Sequence, residues 1–105
     1  MSNETLVKTA LKRQEVFKNL DKYIGIINET VHKLDPEAET YLFGSVAEKE
    51  NNYSSDIDIL IATKLSPAKI NSELWKADIK EPFEIHVQPP KKLAFYKKRA
   101  KLVKL

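Results

Sequence analysis

Two aspartates, Asp56 and Asp58, stand within a segment that otherwise favours a β-strand. In residues 54–63, isoleucines alternate with these aspartates, so the isoleucines take one strand face and the carboxylates the other. Residues two apart in a strand lie about 6.6 to 6.8 Å apart and point the same way. The two carboxylates repel each other unless they turn to water, one protonates, or a cation lies between them. The spacing is therefore typical of a solvated strand face or of a site for a divalent cation.

Two further segments favour the cation site. Gly44 and Ser45 end the preceding apolar segment, where glycine lets the backbone approach a ligand and serine adds a hydroxyl beside exposed N–H groups. Glu84 and His86 alternate with apolar residues and share one face of a third segment. Mg²⁺ prefers hard oxygen ligands, so two aspartates and the phosphates of a substrate would satisfy it. His86 is expected to line this face without a chemical role, although orienting a carboxylate or touching a nucleotide stays open.

A long helix is predicted over residues 4–34, because apolar residues recur there at spacings of three and four. Gly25 in its interior costs about 1 kcal/mol relative to alanine, which indicates close packing against another element or a bend. Pro36 ends the helix because its ring disfavours helical geometry at Asp35. The apolar stripe consists of Phe17, Leu20, Ile24, Ile27, Val31 and Leu34.

Three strands are predicted, over residues 40–43, 54–63 and 83–87. A helical turn at residues 46–50 and a polar loop at 51–53 separate the first two strands. A further helix begins at Ser66 and Pro67, with serine as N-cap and proline in the first turn. A basic helix is predicted over residues 91–105. This order of elements predicts an α/β, or α+β, fold around a small sheet.

Length and composition bound the remaining choices. Residues 1–105 are expected to form a single domain. Cysteine is absent, which excludes a disulfide framework and a thiolate zinc site. Because the sequence has no long apolar stretch, we expect a cytoplasmic protein without a membrane span. Residues 89–105 carry seven Lys or Arg and no acid, whereas the first 88 residues carry 11 basic and 15 acidic residues. The basic tail is either a solvated helix face or a surface for phosphates or nucleic acid.

The motif formed by Gly44-Ser45, a gap, and Ser55-Asp56-Ile57-Asp58 resembles the signature of the DNA polymerase β-like nucleotidyltransferase superfamily. The short chain is similar to its minimal nucleotidyltransferases, many of which are encoded beside a partner from the higher eukaryote and prokaryote nucleotide-binding (HEPN) family. The resemblance implies a polymerase β-like fold with a small mixed three-stranded sheet flanked by helices. It also implies two Mg²⁺ ions and transfer of a nucleoside monophosphate from ATP, or another nucleoside triphosphate, to a hydroxyl.

The resemblance also assigns roles to single residues. Gly44, Ser45 and Ser55 would bind the triphosphate, and Asp56 and Asp58 would bind both metal ions.

The third carboxylate of the superfamily falls on Glu84, which would bind the catalytic metal and accept the proton of the attacking hydroxyl. Two-metal sites of this kind hold their ions about 3.5–4 Å apart. The chain departs from the pattern of its relatives in two places. Glu84 stands where aspartate is usual, and Glu48 and Lys49 stand where arginine and glycine often follow the Gly-Ser turn. These departures put phosphate contacts from the turn, and full activity, in question.

Three functions follow from these residues together with what the resemblance implies. The first is an antitoxin enzyme that transfers AMP, or another nucleotide, to a hydroxyl of a partner protein, typically a tyrosine of a HEPN toxin. The second is a weakly active or inactive module that neutralises a HEPN-type partner by binding. The third is a nucleotidyltransferase that acts on RNA through the basic tail. Each of the three functions is compatible with a homo-oligomer of this chain.

Overall fold

The computed structural model describes residues 3–49 and 55–105, with side chains from residue 6 onward. Five α-helices and four strands lie in these described ranges, and a 3₁₀ turn at Pro90–Lys92 precedes the last helix. The helices are α1 (Asn3–Lys18), α2 (Leu20–Leu34), α3 (Gly44–Ala47), α4 (Pro67–Lys76) and α5 (Leu93–Arg99). The strands are β1 (Glu39–Phe43), β2 (Ile57–Ala62), β3 (Phe83–Gln88) and β4 (Val103–Lys104).

The prediction of one continuous helix over residues 4–34 is wrong, because the helix breaks at Asn19. Asn19 has φ −117° and ψ 33°, outside helical geometry. Its side-chain Nδ2 donates to the carbonyl of Glu15 at 3.0 Å, and such local bonds compete with the helical ladder. Gly25 lies inside α2, and a Cβ there would meet no atom within 4 Å. Close packing at Gly25 is therefore also a wrong prediction.

The sheet has four strands in the order β3-β2-β1-β4, one more than the sequence predicts. Strands β2 and β3 are parallel, whereas β1 pairs antiparallel with both β2 and β4. The basic helix predicted over residues 91–105 is too long, since Ala100 is extended with φ −145° and ψ 152°. The chain then pairs with the edge of β1, and the N–H of Leu105 donates to the carbonyl of Thr40 at 3.0 Å. A strand of two residues has too few positions to show a period, so sequence pattern alone does not find it.

The predicted alternation in β2 is confirmed. Ile57, Ile59 and Ile61 are fully buried on the face that α2 and α4 cover. Burying such side chains contributes about 1.5–3 kcal/mol each, which anchors the strand. On the opposite face, Leu60 packs with Tyr41 and with Leu93 of α5. Both faces of the sheet are thus covered at its centre, and the acidic residues of this second face lie towards one end.

The helix predicted to begin at Ser66 and Pro67 is confirmed, with Ser66 Oγ accepting the N–H of Lys69 at 3.2 Å. The short turn predicted at 46–50 begins earlier, at Gly44. The polar loop at 51–53 lies outside the described residues, and β2 begins at Ile57. Within residues 3–49 and 55–105, no helix has the length and apolar character needed to cross a membrane.

Candidate functional site

Asp58 and Glu84 lie side by side on neighbouring strands. The parallel register pairs Asp58 of β2 with Glu84 of β3, and the next residue on that face of β3 is His86. One ligand atom from each of these three side chains lies within 4.8 Å of the others. The period-two pattern of both strands thus gathers two carboxylates and an imidazole at one point of the sheet.

His86 lies between the two carboxylates. Its Nε2 is 3.3 Å from Asp58 Oδ1 and 3.6 Å from Glu84 Oε1. The imidazole packs against Phe43 of β1 in a T-shaped arrangement, with ring centroids 5.0 Å apart. From the sequence, His86 was expected to line this face without a chemical role. Its position two residues after Glu84 predicted that both side chains share one face of β3. Contact with both carboxylates adds a nitrogen ligand to the candidate site.

Gly44 brings the turn after β1 directly against Asp58. Its φ is +75°, a left-handed conformation that glycine adopts without strain. A Cβ at this position would collide with the Oδ2 of Asp58 and lie 3.1 Å from its Cγ. Ser45 follows in the first turn of α3 and is half-buried. The Gly-Ser turn and the aspartate that the sequence singled out are therefore neighbours in space.

Asp56 lies outside the group formed by Asp58, Glu84 and His86. It precedes β2, its side chain is 54 % exposed, and its Oδ1 lies 3.5 Å from Nη2 of Arg13 on α1. Arg13 Nη1 also donates to the carbonyl of Ser55 at 3.1 Å. Sequence reasoning missed Arg13, because no periodic pattern links a residue of the first helix to the start of β2.

Comparison with known families identifies the domain to which these residues belong. A family model described as a nucleotidyltransferase domain matches residues 11–104. The chain belongs to this nucleotidyltransferase family. No curated protein and no solved structure matches the chain significantly.

Membership in the nucleotidyltransferase family makes nucleotidyl transfer from a nucleoside triphosphate the general chemistry of this chain. The matched residues include the Gly44 turn, the candidate ligands on β2 and β3, and Arg13. Enzymes of this family usually employ a divalent metal, so the donor set can be tested for its fit to one.

The donor set of this nucleotidyltransferase domain fits a divalent cation. Asp58 and Glu84 supply carboxylate oxygens, and His86 supplies an imidazole nitrogen. Ligands about 2.1 Å from an octahedral ion lie at most about 4.2 Å apart, close to the 4.8 Å limit within which these atoms fall. Asp58 is the least exposed of the three side chains, at 22 %, and Glu84 is 55 % exposed. Small rotations of the more exposed side chains would complete such a site.

The Gly-Ser turn and Ser55, which the sequence predicts to bind phosphate, lie among few cationic side chains in the described part of the chain. Glu48 and Lys49, which follow the Gly-Ser turn, are both exposed, and Lys49 has φ +60°. Ser55 is half-buried and is tied through its carbonyl to Arg13. The described residues of the turn thus offer backbone groups and the Ser45 hydroxyl, while the nearest guanidinium to the aspartates comes from α1.

Proposed function

We propose that the chain is a metal-dependent nucleotidyltransferase that transfers AMP from ATP, or another nucleoside monophosphate, to a hydroxyl of a partner protein. The observation that carries this proposal is the meeting of Asp58, Glu84 and His86 beside the Gly44 turn in a domain of this family. Asp56, Asp58 and Glu84 are the proposed metal ligands, holding two Mg²⁺ ions. A bound divalent ion would neutralise charge that develops on the phosphate oxygens.

Each proposed residue has a task that its position allows. Gly44, Ser45 and Ser55 hold the triphosphate, since the Gly44 turn passes against Asp58. The acceptor hydroxyl oxygen forms a bond to the α-phosphorus, the bond to the bridging oxygen breaks, and pyrophosphate leaves. Glu84 takes the proton of the hydroxyl, because its exposed carboxylate can approach an incoming acceptor.

A protein acceptor is supported by the openness of the site. Asp56 and Glu84 are each more than half exposed, so a side chain on the surface of another folded protein can approach them. The resemblance to minimal nucleotidyltransferases suggests a tyrosine of a HEPN-type toxin as this acceptor. The chain would then act as the antitoxin.

Label transfer tests the proposed reaction. Wild-type protein is incubated with α-labelled ATP, Mg²⁺ and the product of the neighbouring gene, and Asp58→Asn is treated identically. We expect a labelled partner and released pyrophosphate with wild type only. Equal labelling by wild type and Asp58→Asn, or none with either, would refute the transfer activity.

A second candidate is a module that neutralises its partner by binding without catalysis. The pairing of Asp56 with Arg13 and the exposed Glu48 and Lys49 favour it, because they reduce the ligands offered to metal and phosphate. Calorimetric titration with ATP and Mg²⁺ separates the two candidates. Tight partner binding without metal-dependent nucleotide binding is the result that favours the module.

A further inference from the structure

Arg13 of α1 forms hydrogen bonds to the segments that precede β2 and β3, the two strands that carry the candidate ligands. Its Nη1 donates to the carbonyl of Ser55 at 3.1 Å, and its Nη2 donates to Glu81 Oε1 at 2.7 Å. Ser55 stands three residues before Asp58, and Glu81 stands three residues before Glu84. The Arg13 side chain is only 17 % exposed, so its guanidinium is held in a defined place.

The contact of Arg13 with Asp56 is longer than these two bonds, at 3.5 Å from Nη2 to Oδ1. Asp56 is also more exposed than Arg13, and it precedes the ladder of β2. Rotation of the Asp56 side chain would therefore leave Arg13 held by Ser55 and Glu81. In the proposed function Asp56 is a metal ligand, so a bound divalent ion and the guanidinium of Arg13 would compete for the same carboxylate.

Arg13 also borders a cleft suited to anions. The cleft has a volume of about 230 Å³ and is lined by Lys8, Thr9, Lys12, Arg13 and Glu81. Three of its five lining side chains are cationic. Guanidinium groups match phosphate oxygens in charge and in planar geometry. The positive charge that the Gly44 turn lacks at Glu48 is thus present on α1, where Arg13 contacts Asp56.

We propose that Arg13 exchanges partners when a metal–polyphosphate complex binds: the metal takes Asp56, and a phosphate oxygen of the triphosphate takes Arg13. This inference rests on the proposed function and adds a phosphate-binding residue to it. Arg13 then has opposite effects on the two ligands. It weakens binding of the metal alone by holding Asp56, and it strengthens binding of the polyphosphate by direct contact.

Two titrations of the purified protein test the exchange. Mn²⁺ binding is followed by the loss of the electron paramagnetic resonance signal of the free ion, and Mn²⁺-saturated protein is then titrated with inorganic tripolyphosphate. We expect Arg13→Gln to bind Mn²⁺ about threefold more tightly, the range for release of a partly exposed ion pair. We expect it to bind tripolyphosphate about tenfold more weakly, because a charge-assisted hydrogen bond is lost.

Two controls separate the exchange from a general effect of charge. Lys18→Gln removes one positive charge from the same helix and should change both affinities less than twofold, since Lys18 is exposed at the end of α1. In an Asp56→Asn background, Arg13→Gln should no longer tighten Mn²⁺ binding. Arg13→Lys keeps the charge and the aliphatic stem, so it supplies a folded variant with intermediate values if Arg13→Gln is unstable.

Each outcome decides the inference. Mn²⁺ binding that Arg13→Gln leaves unchanged or weakens, or a gain that persists in Asp56→Asn, overturns the exchange. Tripolyphosphate binding as tight in Arg13→Gln as in wild type overturns the phosphate contact. Wild-type protein that binds no Mn²⁺ overturns the proposed function as well, whereas normal Mn²⁺ binding without an Arg13 effect overturns this inference alone.

Discussion

At the scale of single residues, the site depends on a position where only hydrogen fits as a side chain. Gly44 combines a left-handed φ of +75° with a position at which an added Cβ would collide with the Asp58 carboxylate. Any larger residue must strain the turn and displace Asp58. The same aspartate is bordered by His86 on its other side, so small shifts of Asp58 alter the whole ligand group.

Gly44→Ala should therefore weaken metal binding by at least about tenfold and lower the free energy of unfolding by about 1–3 kcal/mol. Calorimetric metal titration and urea unfolding measure the two effects. Gly25→Ala is the matched control, because Gly25 is an exposed helical residue with open space around it. The control should stabilise the protein by up to about 1 kcal/mol without changing metal affinity. Similar behaviour of the two variants would show that Gly44 has no special role.

The imidazole of His86 leads us to expect that the site prefers Mn²⁺ to Mg²⁺. Imidazole is a better ligand for Mn²⁺ and later transition metals than for Mg²⁺, and Nε2 of His86 lies within 3.6 Å of both carboxylates. We expect His86→Ala to weaken Mn²⁺ binding about tenfold and Mg²⁺ binding less than threefold. Dissociation constants for both ions, measured on wild type and variant, check this. Equal losses for the two ions would indicate that His86 orients the carboxylates without binding metal.

At the scale of elements, local periodicity predicted the parts of the site that lie within strands. The alternation in β2 and β3 correctly placed Asp58, Glu84 and His86 on common faces. The same pattern placed Asp56 on the face of Asp58, in a strand over residues 54–63, but β2 begins at Ile57 and Asp56 contacts Arg13 of a distant helix. The break at Asn19 was missed for a related reason, since the apolar stripe continues through it. The strand β4 forms only by pairing with β1, which no local pattern reveals.

One contact between elements gives a pH dependence of stability. Thr63, just after β2, donates its hydroxyl to Asp35 Oδ2 at 2.6 Å, next to the end of α2. This bond, together with the N–H of Glu37, lowers the pKa of Asp35. A carboxyl whose pKa is lower in the folded protein stabilises it above the unfolded pKa, near 3.9, and loses that contribution as the pH falls through the folded value.

Thr63→Val should consequently lower the thermal midpoint at pH 7, and the difference from wild type should shrink below about pH 4. Valine keeps the shape of the buried threonine and removes only its hydroxyl. Thermal unfolding followed by circular dichroism between about pH 2 and pH 8, an interval that includes the titration of an aspartate, measures both quantities. A difference that stays constant across this range would exclude the Asp35 contact as its source.

At the scale of the whole molecule, one face of the sheet forms the main core and the other carries the candidate site. The isoleucines of β2 are buried under α2 and α4, while the opposite face carries a smaller core around Leu60 and then the exposed acidic group. A buried face anchors the strands, so the backbone positions that carry these carboxylates keep a fixed spacing. The exposed side of the group is open to a nucleotide and to an acceptor.

The measurement that tests this account most directly is a calorimetric titration of Mn²⁺ and Mg²⁺ into wild type, Asp58→Asn and Asp78→Asn. Asp78→Asn loses the same charge at an exposed position with φ +65°, which asparagine tolerates. We predict saturable binding by wild type and Asp78→Asn, and a loss of about 100-fold in Asp58→Asn with its circular dichroism spectrum unchanged. Equal affinities for all three proteins, or no binding by wild type, would contradict a metal site built on Asp58 and Glu84.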